Sequence, residues 1–507
     1  MVKAMSGEKV ILIPIDNRPV TYQFPQMIAS VAGLEAIVPP PELMGSQGIP
    51  ADFHSIIRWL EESLPEIKPA ALFVCLDAIL YGGLGPSRRS NDSLAEVSRR
   101  AGLIARWKGL AGSDLQIFAQ ASVMRIPHYS GSSEEPQYWQ QYGEKIFRWS
   151  ALKHKEKLGL LETQESLRAL DDEIPKNVRD DFSGRRERNF QINQSLIAMA
   201  KEGAIDFLVF SQDDTAEFGL NVWEKTQLVE QANKVAATNV VAYPGADETI
   251  ATLMTRWLTS RCPKPLRAAI QFSPERGEGV ASNYEGQTIG KSVNAVARVS
   301  GLEIHSSSEG NTDLVVVVHT AGELQGDHTK IAVSPDLLID TAKQVENTIG
   351  LLEQAQVPVI LCDVAFSNGA DPLLVEALFR RKDLLAKLCA YAGWNTTNNT
   401  VGSALALGVA RWFGQSNHLA TEEAFKRALY VRFADDWAYQ TTVRSQLNGL
   451  ANDEKVRQLM VPLLHELNNA LDFDPGRVEL RLPWKRTFEI EVGLPPVGKA
   501  ACSSGKN

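Results

Sequence analysis

Two adjacent acidic residues are the feature of this sequence that most directly suggests chemistry. Asp213 and Asp214 follow the apolar stretch Phe207–Ser211, which has the composition of a buried strand. Adjacent carboxylates make each other's ionisation less favourable, so one of the pair can keep a proton near neutral pH. A proton donor beside a charged carboxylate is an arrangement that cleaves glycosidic bonds. The alternatives are that the pair binds a divalent cation, or that one aspartate caps the next helix.

Charged side chains also follow the other predicted strands in the first half of the chain. Asp16, Asn17 and Arg18 follow Val10–Ile15, Asp77 follows Ala70–Leu76, Arg125 follows Leu115–Ala121, and Asp247 and Glu248 follow Val240–Tyr243. Because the carboxyl ends of parallel strands meet at one edge of a sheet, we expect these side chains to converge on one cleft and bind a substrate. Turn and helix-cap chemistry explains any single one of them equally well.

Two polar loops follow predicted strands in the second half of the chain. The first loop contains Asp363, Asn368 and Asp371, and the second contains Trp394 and Asn395. Amide and carboxylate groups hydrogen-bond to sugar hydroxyls, and an aromatic face packs against a sugar ring. We therefore predict that these five residues bind substrate, with plain turn and cap chemistry as the alternative.

The sequence lacks the common fingerprints of cofactor and metal sites. It has no GxGxxG after the first strand, no P-loop, no GxSxG, no HExxH and no CxxC pair among its five cysteines. The predicted chemistry therefore uses no cofactor. The alternative is a Mg²⁺ or Mn²⁺ site built from Asp16, Asp77, Asp213, Asp214 and Asp247.

Apolar strand-like runs alternate with amphipathic stretches along most of the chain, which predicts an α/β fold with parallel sheets. We expect two doubly wound units, residues 1–262 and 263–415, followed by a helical region with terminal β-strands, residues 416–507. Residues 135–203 interrupt the alternation and are predicted to form a helical insertion at the rim of the cleft. The alternative is an N-terminal (β/α)₈ barrel that closes through residues 302–305 and precedes an α/β domain.

Composition and charge narrow the classes of partner. The 507 residues include 52 Lys+Arg and 61 Asp+Glu, so the net charge is −9. An acidic chain without a basic run is a poor candidate for nucleic-acid binding. No apolar run approaches the roughly 18 residues that a membrane span needs. The short apolar run near the N-terminus does not resemble a signal peptide. We expect a cytoplasmic protein that binds a small molecule or sugar, and neither nucleic acid nor membranes.

Six motifs together resemble the bacterial DUF4127 family, a family without a known activity. In chain order they are PIDNRPV, YGGLGPSR, SQDDTAEFGLN, YPGADE, DVAFSNGAD and AGWNTTNNTVG, within residues 11–403. The resemblance implies no catalytic residue.

The Asp213-Asp214 pair is also similar to the paired aspartates of O-GlcNAcase-like glycosidases, which use the substrate's own N-acetyl group. That similarity implies that Asp213 orients the acetamido group and that Asp214 protonates the leaving oxygen. The function predicted is thus a carbohydrate-active hydrolase, and the similarity implies an N-acetylhexosamine-containing substrate. The alternatives are a carboxylate-based metal-dependent hydrolase or transferase and a non-catalytic small-molecule binding protein.

Overall fold

The computed structural model describes residues 7–112, 114–212, 216–305, 312–329 and 335–496. The strands are β1 (Lys9–Ile13), β2 (Glu35–Ile37), β3 (Ala71–Cys75), β4 (Gln116–Val123), β5 (Phe207–Gln212), β6 (Val240–Pro244), β7 (Arg267–Ser273), β8 (Glu303–His305), β9 (Leu314–His319), β10 (Gly326–Asp327), β11 (Val359–Asp363), β12 (Phe366–Ser367), β13 (Leu388–Ala392), β14 (Glu479–Arg481) and β15 (Glu491–Gly493).

Two open parallel sheets form the framework. The first has the strand order β2-β1-β3-β4-β5-β6, and the second has the order β13-β11-β9-β7-β8. Read from β8, the second sheet repeats the order of the first five strands of the first sheet. In the first sheet the strand order changes direction between β1 and β3, and in the second sheet it does so between β7 and β9. This is the doubly wound pattern. The predicted α/β class with two doubly wound units is confirmed, and the barrel alternative is wrong because neither sheet closes in the described part of the chain.

The helices are α1 (Gln23–Val31), α2 (Phe53–Ile67), α3 (Leu76–Leu80), α4 (Leu84–Arg89), α5 (Leu94–Ala101), α6 (Ile104–Ala111), α7 (Trp139–Lys157), α8 (Gln164–Glu173), α9 (Lys176–Lys201), α10 (Leu220–Lys234), α11 (Thr249–Ser260), α12 (Ile289–Val299), α13 (Pro335–Gln354), α14 (Pro372–Arg380), α15 (Lys382–Leu385), α16 (Thr397–Ser416), α17 (Glu422–Phe433) and α18 (Asp453–Leu471). Short 3₁₀ turns occur at Pro41–Leu43, Glu275–Gly279, Arg444–Leu447 and Pro483–Lys485, and Ala434–Val443 forms a π-helix. None of the described helices is both long and apolar enough to cross a bilayer.

The central strands are apolar throughout because helices cover both faces of each sheet. Every residue of β3, β9 and β11 is buried. Helices α11 and α16 pack between the two sheets, so one continuous core runs from Phe73 of the first sheet through Trp257 to Val316 of the second. Gly408 of α16 permits this packing, since a Cβ there would lie 2.4 Å from Ile360 Cγ1.

The segment predicted as a helical insertion contains α7, α8 and α9, between β4 and β5. These helices have a small core of their own, in which Trp139 and Trp149 both contact the Phe182 ring. Long α9 also packs against α4, α5 and the first sheet. The insertion therefore contacts the loop after β3, which contributes to the site described next.

Candidate functional site

A central cavity of about 510 Å³ lies at the carboxyl ends of the strands of both sheets. Loops after β1, β2, β3, β4 and β6 of the first unit line the cavity, and so do loops after β7, β11 and β13 of the second. Trp484, Arg486 and Phe488, from the C-terminal segment, also line it. The volume is in the range of cavities that hold small molecules, and the position is where doubly wound folds bind ligands.

The structure brings six of the predicted site residues to the cavity wall, which are Asp16, Arg18, Arg125, Asp247, Asn368 and Asn395. Asn17 lies behind the wall and accepts a hydrogen bond from Trp484 Nε1 at 2.8 Å. Asp213 and Asp214 lie outside the described residues. Gln212, which directly precedes them, lines the cavity at the end of β5. Predicted residues that do not line the cavity are Asp77, Glu248, Asp363, Asp371 and Trp394.

Arg18 organises the acidic side of the cavity. Its Nε donates to Asp16 Oδ2 at 2.8 Å, and its two terminal nitrogens bind Asp247 at 2.5 and 3.1 Å. Glu489 lies 3.3 Å from Nη1. Burial lowers the pKa of Arg18, but Asp16, Asp247 and Glu489 outweigh that effect and raise it well above its usual value. The three carboxylates thus hold a permanently charged guanidinium in place.

Arginines also surround two acids after β4. Arg88 and Arg125 both contact Glu135 Oε1, at 2.5 and 3.0 Å, and Arg125 also donates to Glu134 Oε2 at 2.9 Å. Burial disfavours the charged form of Glu134, but the field of Arg125, Arg88, Arg18 and Arg486 prevails and lowers its pKa to about 2. Glu134 is therefore ionised at any physiological pH.

The loop that follows β3 reaches the cavity through two glycines. Gly82 and Gly83 have φ values of +89° and +126°, which L-residues rarely adopt. The turn leads directly into α4, whose carbonyl groups are held from behind by the insertion. Arg188 donates to the Ser87 and Ser90 carbonyl oxygens, and Arg185 donates to those of Arg89 and Ser90.

Asp77, at the start of α3, stabilises this loop from inside the fold. Its carboxylate accepts from the Ser122 backbone N–H at 2.9 Å, and its carbonyl oxygen accepts from Gly83 N–H at 2.9 Å. Burial raises the pKa of Asp77 to about 6. The residue is 3% exposed and does not reach the cavity, because the chain forms the short helix α3 before it turns towards the ligand side.

Asp363, Asp371 and Trp394 are likewise engaged inside the second unit. Asp371 caps α14 and contacts buried His319 Nε2 at 3.0 Å, while Asp363 accepts from Asp371 N–H and the Tyr391 hydroxyl. Trp394 is 2% exposed and its ring lies edge-on to Phe488. These three residues shape the loops that present Asn368 and Asn395, but they do not line the cavity.

The C-terminal segment supplies a tryptophan and charged groups that the sequence analysis does not identify. Trp484, Arg486 and Phe488 line the cavity, and Glu489 bridges Arg18 and Arg486. Burial raises the pKa of Glu489 to about 6 despite both arginines. Trp484 has φ +55°, an uncommon conformation for a large residue, and its ring lies beneath the Arg18 and Arg486 guanidinium groups. The alternating pattern of residues 477–494 predicts strands but carries no signal of this role.

The π-helix Ala434–Val443 holds the C-terminal segment in position through hydrogen bonds. Its Gln440 side chain donates to the Phe488 carbonyl oxygen at 3.0 Å, and the Tyr439 hydroxyl donates to the Thr487 carbonyl oxygen at 2.7 Å. At the other end, Asp436 accepts from Gly393 N–H at 2.7 Å. The π-helix thus joins the loop after β13 to the residues that complete the cavity.

The wall from the second unit is polar and mostly uncharged. The Tyr284 hydroxyl and the Asn368 amide both donate to Asp327, at 2.5 and 3.0 Å. Asn368 and Asn395 have φ values of +62° and +59°, and Asn368 N–H donates to the Asn395 carbonyl oxygen. Asparagine tolerates this left-handed conformation better than most residues. The two loops therefore present amide and hydroxyl groups to the cavity in fixed positions.

Several buried polar atoms near the cavity have no hydrogen-bond partner among the described residues. They are the Gln212 amide oxygen and nitrogen, both Glu248 carboxyl oxygens, and Asn399 Oδ1. Gln212 and Asn399 line the cavity. Buried polar groups are nearly always satisfied in native proteins, so these atoms indicate a place where a polar ligand or ordered water binds.

The described residues contain no group of three His, Cys, Asp or Glu side chains arranged to hold a metal ion. The proposed set included Asp16 and Asp247, and the Arg18 guanidinium lies between them. Asp77 is directed into the fold, and the remaining two aspartates of the set lie outside the described residues. Asp16 and Asp247 thus share one arginine as their partner.

Comparison with known proteins identifies the family. The chain matches the family described as "Protein of unknown function (DUF4127)" over residues 10–493, and so belongs to it. No curated protein matches the chain. A solved structure titled "The Structure of a C2-type Ketoreductase from a Modular Polyketide Synthase" is similar over 92% of this chain and 91% of that chain, with 10% identity and a TM-score of 0.21.

Proposed function

We propose that this member of the DUF4127 family is a carbohydrate-active hydrolase whose substrate binds in the central cavity. The observation that supports this best is the cluster of three carboxylates around Arg18. Asp16, Asp247 and Glu489 all contact Arg18, and Glu489 also contacts Arg486. Glycoside hydrolysis passes through a transition state with positive charge on the sugar ring, which preorganised negative charge stabilises.

Polar groups that line the cavity support a polyhydroxylated substrate. Tyr284, Asn368, Asn395 and Asn399 contribute hydroxyl and amide groups, and Trp484 adds an aromatic ring. Such groups donate and accept hydrogen bonds at fixed angles, which suits the alternating hydroxyls of a sugar. An apolar ligand would leave these groups unpaired and bind poorly.

The catalytic acids in this proposal are Asp213 and Asp214. They continue the chain directly from Gln212, which lines the cavity. We assign Asp214 as the proton donor to the leaving oxygen and Asp213 as the group that orients the acetamido group of an N-acetylhexosamine. Positioned acid catalysis of this kind contributes about 10²–10⁴-fold to the rate.

The test is turnover of a panel of aryl glycosides that includes N-acetylhexosaminides. We expect Asp214→Asn to reduce kcat by about 10²-fold or more, because asparagine has the same shape but no transferable proton. Thermal unfolding should stay at the wild-type temperature, since asparagine is an equally good helix cap. Near-normal turnover by the variant would assign Asp214 a capping role instead.

A binding protein without catalysis is the second candidate. The two sheets share a strand order and place their carboxyl ends around one cavity. A protein of this class would bind a sugar with unchanged affinity in Asp213→Asn and Asp214→Asn, and the wild type would turn over no glycoside on the panel. Metal dependence is tested in the same assay by chelation followed by addition of Mg²⁺ or Mn²⁺.

A further inference from the structure

The end of the central cavity next to α4 is lined by guanidinium groups. Arg88, Arg89 and Arg125 lie in this part of the wall, and Arg88 contacts Glu135. Arg486 lies nearby and contacts Glu134 at 3.4 Å.

Arg88 is buried and its hydrogen bonding is incomplete. Its side chain is 1% exposed, and Nη1 binds Glu135. Nε and Nη2 have no hydrogen-bond partner in the described part of the chain, and the Glu134 carboxylate is 3.6 Å from Nη2, too far for a hydrogen bond. A buried guanidinium with two unused nitrogens is costly unless a ligand or water completes it.

Arg88 and Arg89 converge on one point beside Gly85. A Cβ built on Gly85 would lie 3.9 Å from Arg88 Nη2, 3.8 Å from Arg89 Nη2 and 3.7 Å from the Glu134 carbonyl oxygen. No carboxylate pairs with Arg89 among the described residues. Two guanidinium groups therefore approach the same open space above a backbone that has no side chain.

We propose that Gly85, Arg88 and Arg89 form a subsite for an anionic group of the substrate, either a carboxylate or a phosphate. Arginine binds both anions through paired N–H groups, and a glycine lets the anion approach the main chain closely. The insertion supports the subsite from behind, because Arg185 and Arg188 hold the carbonyl groups of α4. The proposal rests on the proposed function only in taking the rest of the ligand to be a sugar.

Binding of D-glucuronate, glucose 6-phosphate and glucose, measured by calorimetry at low salt, tests the subsite. The two anions should bind at least 10-fold more tightly than glucose, and their relative affinities show whether a carboxylate or a phosphate fits. Arg89→Gln should weaken both anions about 10- to 100-fold, the size of one charge-assisted hydrogen bond, and leave glucose unaffected. Arg99→Gln, on an exposed face of α5, is the matched control.

Gly85→Ala tests the geometry without changing a charge. Its φ is not in the left-handed region, and the new methyl would be in ordinary contact with its neighbours, so folding should be kept. The methyl would fill the space between the two guanidinium groups and weaken the anions selectively. Gly109→Ala, in α6 with open space around it, is the control.

Equal affinity for glucose and both anions, or unchanged anion binding in both Arg89→Gln and Gly85→Ala, would overturn the subsite. The outcome is separable from that of the hydrolase proposal. Selective anion binding with no turnover of any glycoside would support the subsite and count against hydrolysis. Turnover of neutral glycosides with no preference for anions would support hydrolysis and count against the subsite.

Discussion

Glu248 gives a prediction whose size can be worked out from the structure. The side chain is 1% exposed, and its carboxyl oxygens make no hydrogen bond of normal geometry in the described residues, although the nearby Tyr243 hydroxyl favours the charged form. Burial raises its pKa from 4.5 to about 8, and the charge of Asp247 adds to the effect. At pH 7 the folded protein therefore keeps a proton on Glu248 that the unfolded chain releases.

Proton linkage determines whether this group makes the protein more or less stable as pH rises. A raised pKa gives stability that is complete below the unfolded value of 4.5 and is lost as pH rises towards about 8. With these two values, the free energy of unfolding falls by about 2.5 kcal/mol between about pH 5 and pH 7 because of this one group. Glu248→Gln has no such proton, so its stability relative to wild type should rise by about 2 to 3 kcal/mol over the same interval.

Urea unfolding of both proteins at several pH values between about 5 and 8 measures this difference. Infrared difference spectra at neutral pH give an independent readout, because the band of a protonated carboxylic acid should disappear in Glu248→Gln. Glu62→Gln, at an exposed position of α2, is the control. A stability difference that stays constant with pH, together with no loss of the acid band, would show that Glu248 is ionised and that a cation or hydrogen bond compensates its burial.

Two further predictions concern the packing of the site. Arg18→Gln removes the cation that Asp16, Asp247 and Glu489 share, so we expect a loss of about 3 to 5 kcal/mol in unfolding free energy. A loss below about 1 kcal/mol would mean that the network is solvated. Gly402→Ala places a Cβ 2.3 Å from Glu248 Cγ and should destabilise by about 1 to 3 kcal/mol. The control is Gly350→Ala, on α13 with open space around it, which should leave the thermal unfolding temperature unchanged or raise it. If both substitutions change the unfolding temperature equally, the contact between residue 402 and Glu248 relaxes without cost.

The strands of both sheets could be predicted from sequence because of how they are buried. Strands covered on both faces appear as unbroken apolar runs, and β3, β9 and β11 each read in this way. The short pair β10 and β12 has no such run and could not be found. The strand order also cannot be predicted from composition, since it depends on which strands pair in the folded protein.

The candidate site was predictable where a loop turns directly from a strand to the cavity. Asp16, Arg18 and Asp247 are of this kind, and their charges meet across more than two hundred residues of chain. The position of Asp77 after β3 predicts the same role, but the chain first forms α3 and buries this residue. No local pattern distinguishes a carboxylate that faces the ligand from one that caps a buried turn.

The C-terminal segment shows why part of the site lies beyond such reasoning. Glu489 binds Arg18, Arg486 binds Glu134, and Gln23 of α1 donates to the Val492 carbonyl oxygen at 2.8 Å. Each contact joins residues more than three hundred positions apart, so no spacing in the sequence encodes it. The π-helix that orients the segment is anchored in turn to the loop after β13. The acidic end of the cavity is therefore assembled only when the first and last parts of the chain meet, and its charge balance is a property of the complete fold.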